Sequence, residues 1–245
     1  MTSSPTSQSL SPNSVTWGKQ GESDSLKQAQ KAAWNAAFRT QPQEFDYTIT
    51  DIEGTLPDAL KGSTLFRNGP ARFERGSGPT TQRVSHYLDG AGYLAQITIT
   101  PPGIARFTSK FIATAEHQIE AVTNPLPNRP PFGTPNAQSP RTTLFNLHLK
   151  NPANTHVIPW VNILLSLYEA GTPYRIYPHT LTTLGIEDLS GNLTPNPTPP
   201  TRLQVLKRRA KGQQAMTAHP HIDPITNRLV SWTWGVNVHL HKPNS

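Results

Sequence analysis

The chain contains no cysteine, so neither disulfides nor thiolate metal sites are open to it, and any transition-metal site must use His or carboxylate. It also lacks a long apolar run. The longest apolar patch, 157–168, is broken by Pro159, Asn162 and Ser166, well short of the roughly 20 apolar residues a membrane span requires. The first 15 residues carry neither a cationic start nor an apolar core, so no secretory leader is expected and a cytoplasmic location is. Hydrophobic residues amount to only 34%, which is low for a helical enzyme but tolerable for many short strands joined by loops.

Proline and histidine, by contrast, are well represented. The 25 prolines favour an all-β chain with proline-rich connections, and the segment 194–200 reads as an exposed loop linking two sheets. The nine histidines become the candidate metal ligands. A net charge of +7 raises nucleic acid and anionic surfaces as partners. However, the basic residues are scattered, the one dense cluster, Lys207-Arg208-Arg209 with Lys211, is short, and no aromatic and basic stacking array accompanies it. Nucleic acid is therefore not expected.

Three regions follow from composition. Residues 1–24, rich in Ser, Thr, Pro and Gln without regular apolar spacing, are expected to form a disordered tail. Residues 25–40 fit a short amphipathic helix, with Leu26, Ala29, Ala33 and Ala37 on one side and Trp34 and Phe38 adjoining. That helix could dock on the fold or, through Lys27, Lys31 and Arg39 around its aromatics, make peripheral membrane contact. Residues 41–245 show short β-like runs at 45–52, 63–67, 93–100, 105–112, 143–147, 162–168, 174–176, 229–234 and 236–241. No exact repeat is visible. Arg67-Asn68-Gly69-Pro70 reads as a sharp turn after an apolar strand, and Asp89-Gly90 as a hairpin turn between two strands.

Taken one at a time these are ordinary turns, but their order is informative. Leu56-Pro57-Asp58-Ala59-Leu60-Lys61-Gly62, Arg67 to Pro70, the Asp89-Gly90 turn and Ser109-Lys110-Phe111-Ile112-Ala113-Thr114 resemble the opening of the carotenoid cleavage oxygenase family. The resemblance continues through Asn151-Pro152-Ala153-Asn154-Thr155, Trp160, Leu167-Tyr168-Glu169-Ala170-Gly171 and Leu181-Thr182-Thr183-Leu184-Gly185 to Ala218-His219-Pro220-His221-Ile222-Asp223-Pro224. Ala91 and Tyr93 depart from it, standing where the family usually has Asp and Met.

The resemblance implies a seven-bladed β-propeller with Fe(II) on its axis, held by four His from different blades and oriented by Glu residues. His219 matches the first metal ligand and Glu169 one of the orienting carboxylates. Neutral imidazole suits ferrous iron, and a carboxylate accepting a ligand's other ring N–H fixes its tautomer. Pro220 restricts His219 to an extended backbone. Without the resemblance, His219 and His221 read rather as ordinary surface histidines beside a Pro turn than as ligands. His239-x-His241 offers a further strand-face pair, and His86, His117, His148, His156 and His179 read as isolated and structural.

The implied activity is oxidative cleavage by O2 of a conjugated double bond in a carotenoid or apocarotenoid, giving aldehydes, with no organic cofactor. No residue here is expected to act as acid, base or nucleophile. At about 40–45 residues per four-stranded blade, the chain would build about four blades, an incomplete propeller with a short N-terminal helix, and three of the four His would be absent. The chain is therefore expected to be an inactive fragment on its own, or to need a complementary chain carrying the other ligands. The alternative is a non-catalytic propeller fragment that binds a partner chain or an apolar ligand.

Overall fold

A computed structural model describes residues 24–75, 79, 81–84, 86–101, 103–122, 150–191, 193 and 213–236. The expected strand at 143–147, all but the first residue of that at 236–241, the 194–200 loop, the basic cluster at 207–211 and His148, His239 and His241 lie outside the described residues. By contacts the chain divides into Met1–Ala37 and Phe38–Ser245. In the first unit, helix α1 spans Asp24–Ala37, starting one residue before and ending three residues before the expected 25–40. It buries none of its residues, and Leu26 and Trp34 are both exposed. No helix among the described residues is long and apolar enough to cross a membrane.

The second unit is mostly antiparallel sheet. Its first four-stranded sheet has the order β1-β6-β5-β2, built from β1 (Phe45–Ile49), β2 (Thr64–Arg72), β5 (Ala91–Thr100) and β6 (Ile104–Phe111). Between β2 and β5 lies the short pair β3 (Glu74–Arg75) and β4 (Gln82–Arg83). The second four-stranded sheet is the meander β10-β9-β8-β7, from β7 (His156–Trp160), β8 (Ile163–Leu167), β9 (Tyr174–Tyr177) and β10 (Thr182–Ile186). Two further pairs follow: β11 (Gln213–Met216) with β14 (Thr233–Val236), and β12 (His221–Asp223) with β13 (Arg228–Val230).

The second sheet is apolar on both faces, and its sequence shows why. In β8, Leu164 joins a cluster with Leu94, Ile112, Ala153, Tyr174, Ile176 and Leu181, which seals it against the first sheet. Leu165 and Leu167 point the other way, joining Ile158, Leu193, Met216 and Ala218. A strand buried on both faces reads as a near-continuous apolar run rather than an alternating one, and Ile163-Leu164-Leu165-Ser166-Leu167 is such a run. Its one polar member, Ser166, is fully buried; its Oγ donates to Ala153 O at 2.8 Å and accepts from Asn68 Nδ2 at 3.0 Å.

Two turn readings need correction. Arg67-Asn68-Gly69-Pro70 is not a turn but lies inside β2, where Pro70 pairs with Gly92 and a bulge follows before Arg72. β2 is an edge strand, where a residue without an N–H is tolerated. Asp89-Gly90 is likewise not a two-residue hairpin turn: a 3-10 turn at Tyr87–Asp89 leads directly into β5. Gly90 has φ −64°, not the positive φ such a turn needs. Glycine is required there for space, because a Cβ would stand 2.8 Å from the Phe73 ring and 3.0 Å from Pro70 Cβ.

Helix α2 (Ala115–Val122) was not expected from apolar periodicity. It carries a buried charge: Glu120 Oε2 lies 3.1 Å from Lys150 Nζ, with both side chains almost wholly withdrawn from solvent. Lys150 Nζ also donates to Asp89 O at 3.3 Å, tying this pair to the turn before β5.

Candidate metal centre

The segment that carries His219 is fixed from both sides. β11 ends at Met216, which bridges to Gly171, and Thr217 N donates to Trp232 O at 3.1 Å. Ala215, Met216, Thr217 and Ala218 are all buried, so the chain is anchored in the core up to the residue before His219. Pro220, also buried, holds His219 extended from the other side, and β12 then begins at His221. Between these anchors His219 itself is exposed. Its N–H donates to Thr217 Oγ1 at 3.2 Å.

Glu169 reaches the same segment from the end of the second four-stranded sheet. It stands just after β8, two residues beyond Leu167, and its Oε2 accepts from Ala218 N at 2.7 Å while Oε1 accepts from Thr217 Oγ1 at 3.4 Å. An ionised acceptor on a main-chain N–H makes a strong, directional bond. Glu169 thus grips the main chain immediately before His219. Tyr168, beside it, is buried, and burial together with the nearby carboxylates of Asp89 and Glu169 raises its phenol far above the ordinary range, so it stays protonated.

A residue read as isolated proves to belong here. His156 opens β7, and its ring centre lies 5.8 Å from that of His219, with the ring planes tilted by 31°. Burial first, then the neighbouring imidazoles of His219 and His221, hold His156 below the usual imidazole range, which favours the neutral form that binds metals. His221 is exposed at the first position of β12. Sixty-odd residues of chain separate the paired rings, and nothing in their local sequence announces the contact. The signal available in retrospect is position: Thr155 N bonds Leu167 O, so the start of β7 and the end of β8 lie together and put His156 close to the Glu169 corner.

Of the other described histidines, His179 is exposed beside Tyr177, and two have local structural roles. His86 Nδ1 accepts from Leu88 N at 3.2 Å and caps the turn before β5, and His117 stacks on Phe111. No group of three or more His, Cys, Asp or Glu among the described residues is placed to hold a metal ion. The donors at this corner therefore fit a ferrous centre in kind but not in number.

Compared with known proteins, residues 38–244 match the family described as RPE65, retinal pigment epithelial membrane protein. The apocarotenoid-15,15'-oxygenase of Synechocystis sp. is 37% identical over 191 residues, covering 78% of this chain and 34% of that protein. Carotenoid cleavage dioxygenase 7, chloroplastic, of Oryza sativa subsp. japonica is 32% identical over 164 residues, 64% of this chain and 26% of the relative. Among solved structures, cobalt-substituted Synechocystis apocarotenoid oxygenase superposes with a TM-score of 0.68 at 33% identity, covering 85% of this chain and 40% of that one. The chain spans about a third of the length of the curated relatives it matches. It belongs to the RPE65/carotenoid oxygenase family.

Proposed function

We propose that this chain is the ligand-bearing N-terminal part of a non-heme iron oxygenase that cleaves a conjugated double bond of a carotenoid or apocarotenoid with O2, giving aldehyde products. The observation that carries the proposal is the anchored segment Thr217–Pro220. Core packing, Pro220 and the Glu169 carboxylate hold the main chain there, while His219 itself is exposed. The anchoring is what supports a metal ligand, because a site is useful only when the supporting residues hold its donors in place; the exposure is shared with a surface histidine and lends the reading nothing. Iron, when held, supplies the activation of O2. This chain's residues supply one donor and its orientation: His219 as a ligand and Glu169 as the residue that positions its segment.

Ferrous iron binds usefully only where several nitrogen or oxygen donors converge. Since the described residues gather no cluster of three, the chain alone is inactive in this proposal, and the remaining His ligands come from later blades of a closed seven-bladed propeller or from a complementary chain. The same observation favours a second reading, a non-catalytic propeller fragment that binds a partner chain or an apolar ligand.

A chimera separates the two. The matched third of the Synechocystis relative is replaced by this chain, and the product is assayed for bound iron and for shorter aldehydes formed from an apocarotenal in air. The expected result is stoichiometric iron and cleavage, both lost on His219→Ala, with no turnover by the 245-residue chain alone. A folded chimera without iron would overturn the oxygenase reading, and turnover by the isolated chain would refute its dependence on further ligands.

A further inference from the structure

We infer that Thr217 is a positioning residue for His219, its hydroxyl carrying the hold of the Glu169 carboxylate one residue further, onto the His219 main chain. The inference rests on the metal-ligand reading of His219 and adds no ligand to the set that the family implies. The first support is the arrangement of atoms. Glu169 Oε2 accepts from Ala218 N at 2.7 Å, so its direct main-chain hold ends one residue short of His219. Thr217 Oγ1 bridges the remainder, standing 3.4 Å from Glu169 Oε1 and 3.2 Å from His219 N. A peptide N–H can only donate, so the hydroxyl accepts from His219 and its single proton is left for the carboxylate. One acidic side chain thereby governs three consecutive residues, 217 to 219.

The second support is that the core itself places this hydroxyl. Thr217 is fully buried, its N–H donates to Trp232 O at 3.1 Å, and β11 ends at the residue before it. A β-branched side chain has little freedom about its first torsion, so Oγ1 stays where the backbone aims it. A threonine hydroxyl that accepts from the N–H two residues on closes a local turn, and His219 departs from that turn. Pro220 restricts the same residue from the other side. Valine keeps the branched shape of threonine and lacks the hydroxyl. Its introduction leaves the His219 N–H without this acceptor, so the effect falls on the direction of the imidazole more than on the fold.

The test uses the chimera described above, loaded with Co(II), the metal of the cobalt-substituted relative. Thr217→Val, Thr217→Ala, Thr217→Ser and His219→Ala are compared with the unsubstituted chimera. Release of Co(II) to a chelator is timed, its ligand-field spectrum is recorded, and folding is checked by circular dichroism. The valine variant should shift the spectrum and release Co(II) at least about tenfold faster, and the serine variant should recover most of both. Where valine does not fold, alanine removes the same hydroxyl and takes its place. In the 245-residue chain without metal, the His219 amide should exchange its hydrogen faster with valine than with threonine or serine. If the valine variant keeps the parent's spectrum, release rate or amide exchange while His219→Ala weakens Co(II) binding, the inference about Thr217 fails and the His219 reading stands. A serine variant no better than valine would assign the effect to packing and equally overturn the inference. If His219→Ala leaves the spectrum unchanged, or the chimera takes up no Co(II), both fail.

Discussion

Replacing Asn68 by Ala removes an amide that joins the two four-stranded sheets. Its Nδ2 donates to Ala153 O at 2.9 Å, His156 O at 3.0 Å and Ser166 Oγ at 3.0 Å. Ala153 O keeps a donor, Ser166 Oγ at 2.8 Å, whereas His156 O loses the donor that reaches it from β2. The net loss of such bonds, at about 1 kcal/mol each, together with one poorly satisfied acceptor, amounts to about 2–3 kcal/mol. That is a large share of the ~5–15 kcal/mol stability of an ordinary domain. Asn68→Asp should be worse than Asn68→Ala by at least ~1 kcal/mol, because a carboxylate has no proton to give and faces the oxygens the amide served. Urea unfolding at neutral pH reads both, as shifts in midpoint at constant slope. An Ala variant within ~0.5 kcal/mol of the parent, or an Asp variant as stable as the Ala one, would refute the account of this junction, since ordinary surface substitutions fall within that range.

Two further outcomes follow from geometry and charge. Gly92→Ala would place a Cβ 2.4 Å from Pro152 O and 2.7 Å from Ala153 O, where the obstruction is main chain and cannot turn aside. Its cost should reach ~3 kcal/mol, seen as a lowered melting temperature, and should exceed that of an alanine at Gly69, where nothing stands within 4 Å of the new atom. Asp46 is held below the ordinary carboxylate range, chiefly by its hydrogen bonds with the Arg106 guanidinium at 2.7 Å. A depressed folded value means that the pair's contribution is complete above the ordinary carboxylate pKa and fades as the pH falls through the lower folded value. The stability difference between the parent and Asp46→Asn should therefore be level from pH 7 to about 5, shrink below about pH 4, and diminish in high salt because the pair is exposed. A difference that grew on acidification would contradict the assignment.

How much of this was readable in the sequence varied with the kind of signal. The strands of the first sheet were legible because β5 and β6 carry long apolar and β-branched runs, and observed edges at Ala91–Thr100 and Ile104–Phe111 differ from the expected ones by one or two residues. Strand β7 was not, because Pro159 within His-Val-Ile-Pro-Trp argues against a strand unless the strand lies at a sheet edge, and edges are set by tertiary order. The same limitation turned Gly69-Pro70 into an apparent turn. Helix α2 could have been recognised from its cap: Thr114 Oγ1 accepts from His117 N at 3.0 Å, three residues on, at the start of an Ala- and Glu-containing segment. The candidate site divides in the same way. His219 and Glu169 were singled out through a family motif, whereas His156 stands beside His219 only because β7 and the β11–β12 loop converge, a long-range relation that no local pattern encodes.

The two strands that face each other across the sheets, β2 and β7, are both edges, and each carries a proline, Pro70 and Pro159. A proline removes one rung from each exposed ladder, so the neighbouring main chains are hindered from being sewn into a single continuous ribbon. What crosses instead is the Asn68 side chain, with the Gly92 N–H donating to Pro152 O at 3.0 Å and the Asn154 amide donating to Gly90 O at 2.8 Å nearby. The boundary is thus a seam without a shared ladder: parting the blocks on either side costs side-chain bonds, the Gly92–Pro152 main-chain bond and the apolar cluster between them, while each keeps its own pleated weave intact.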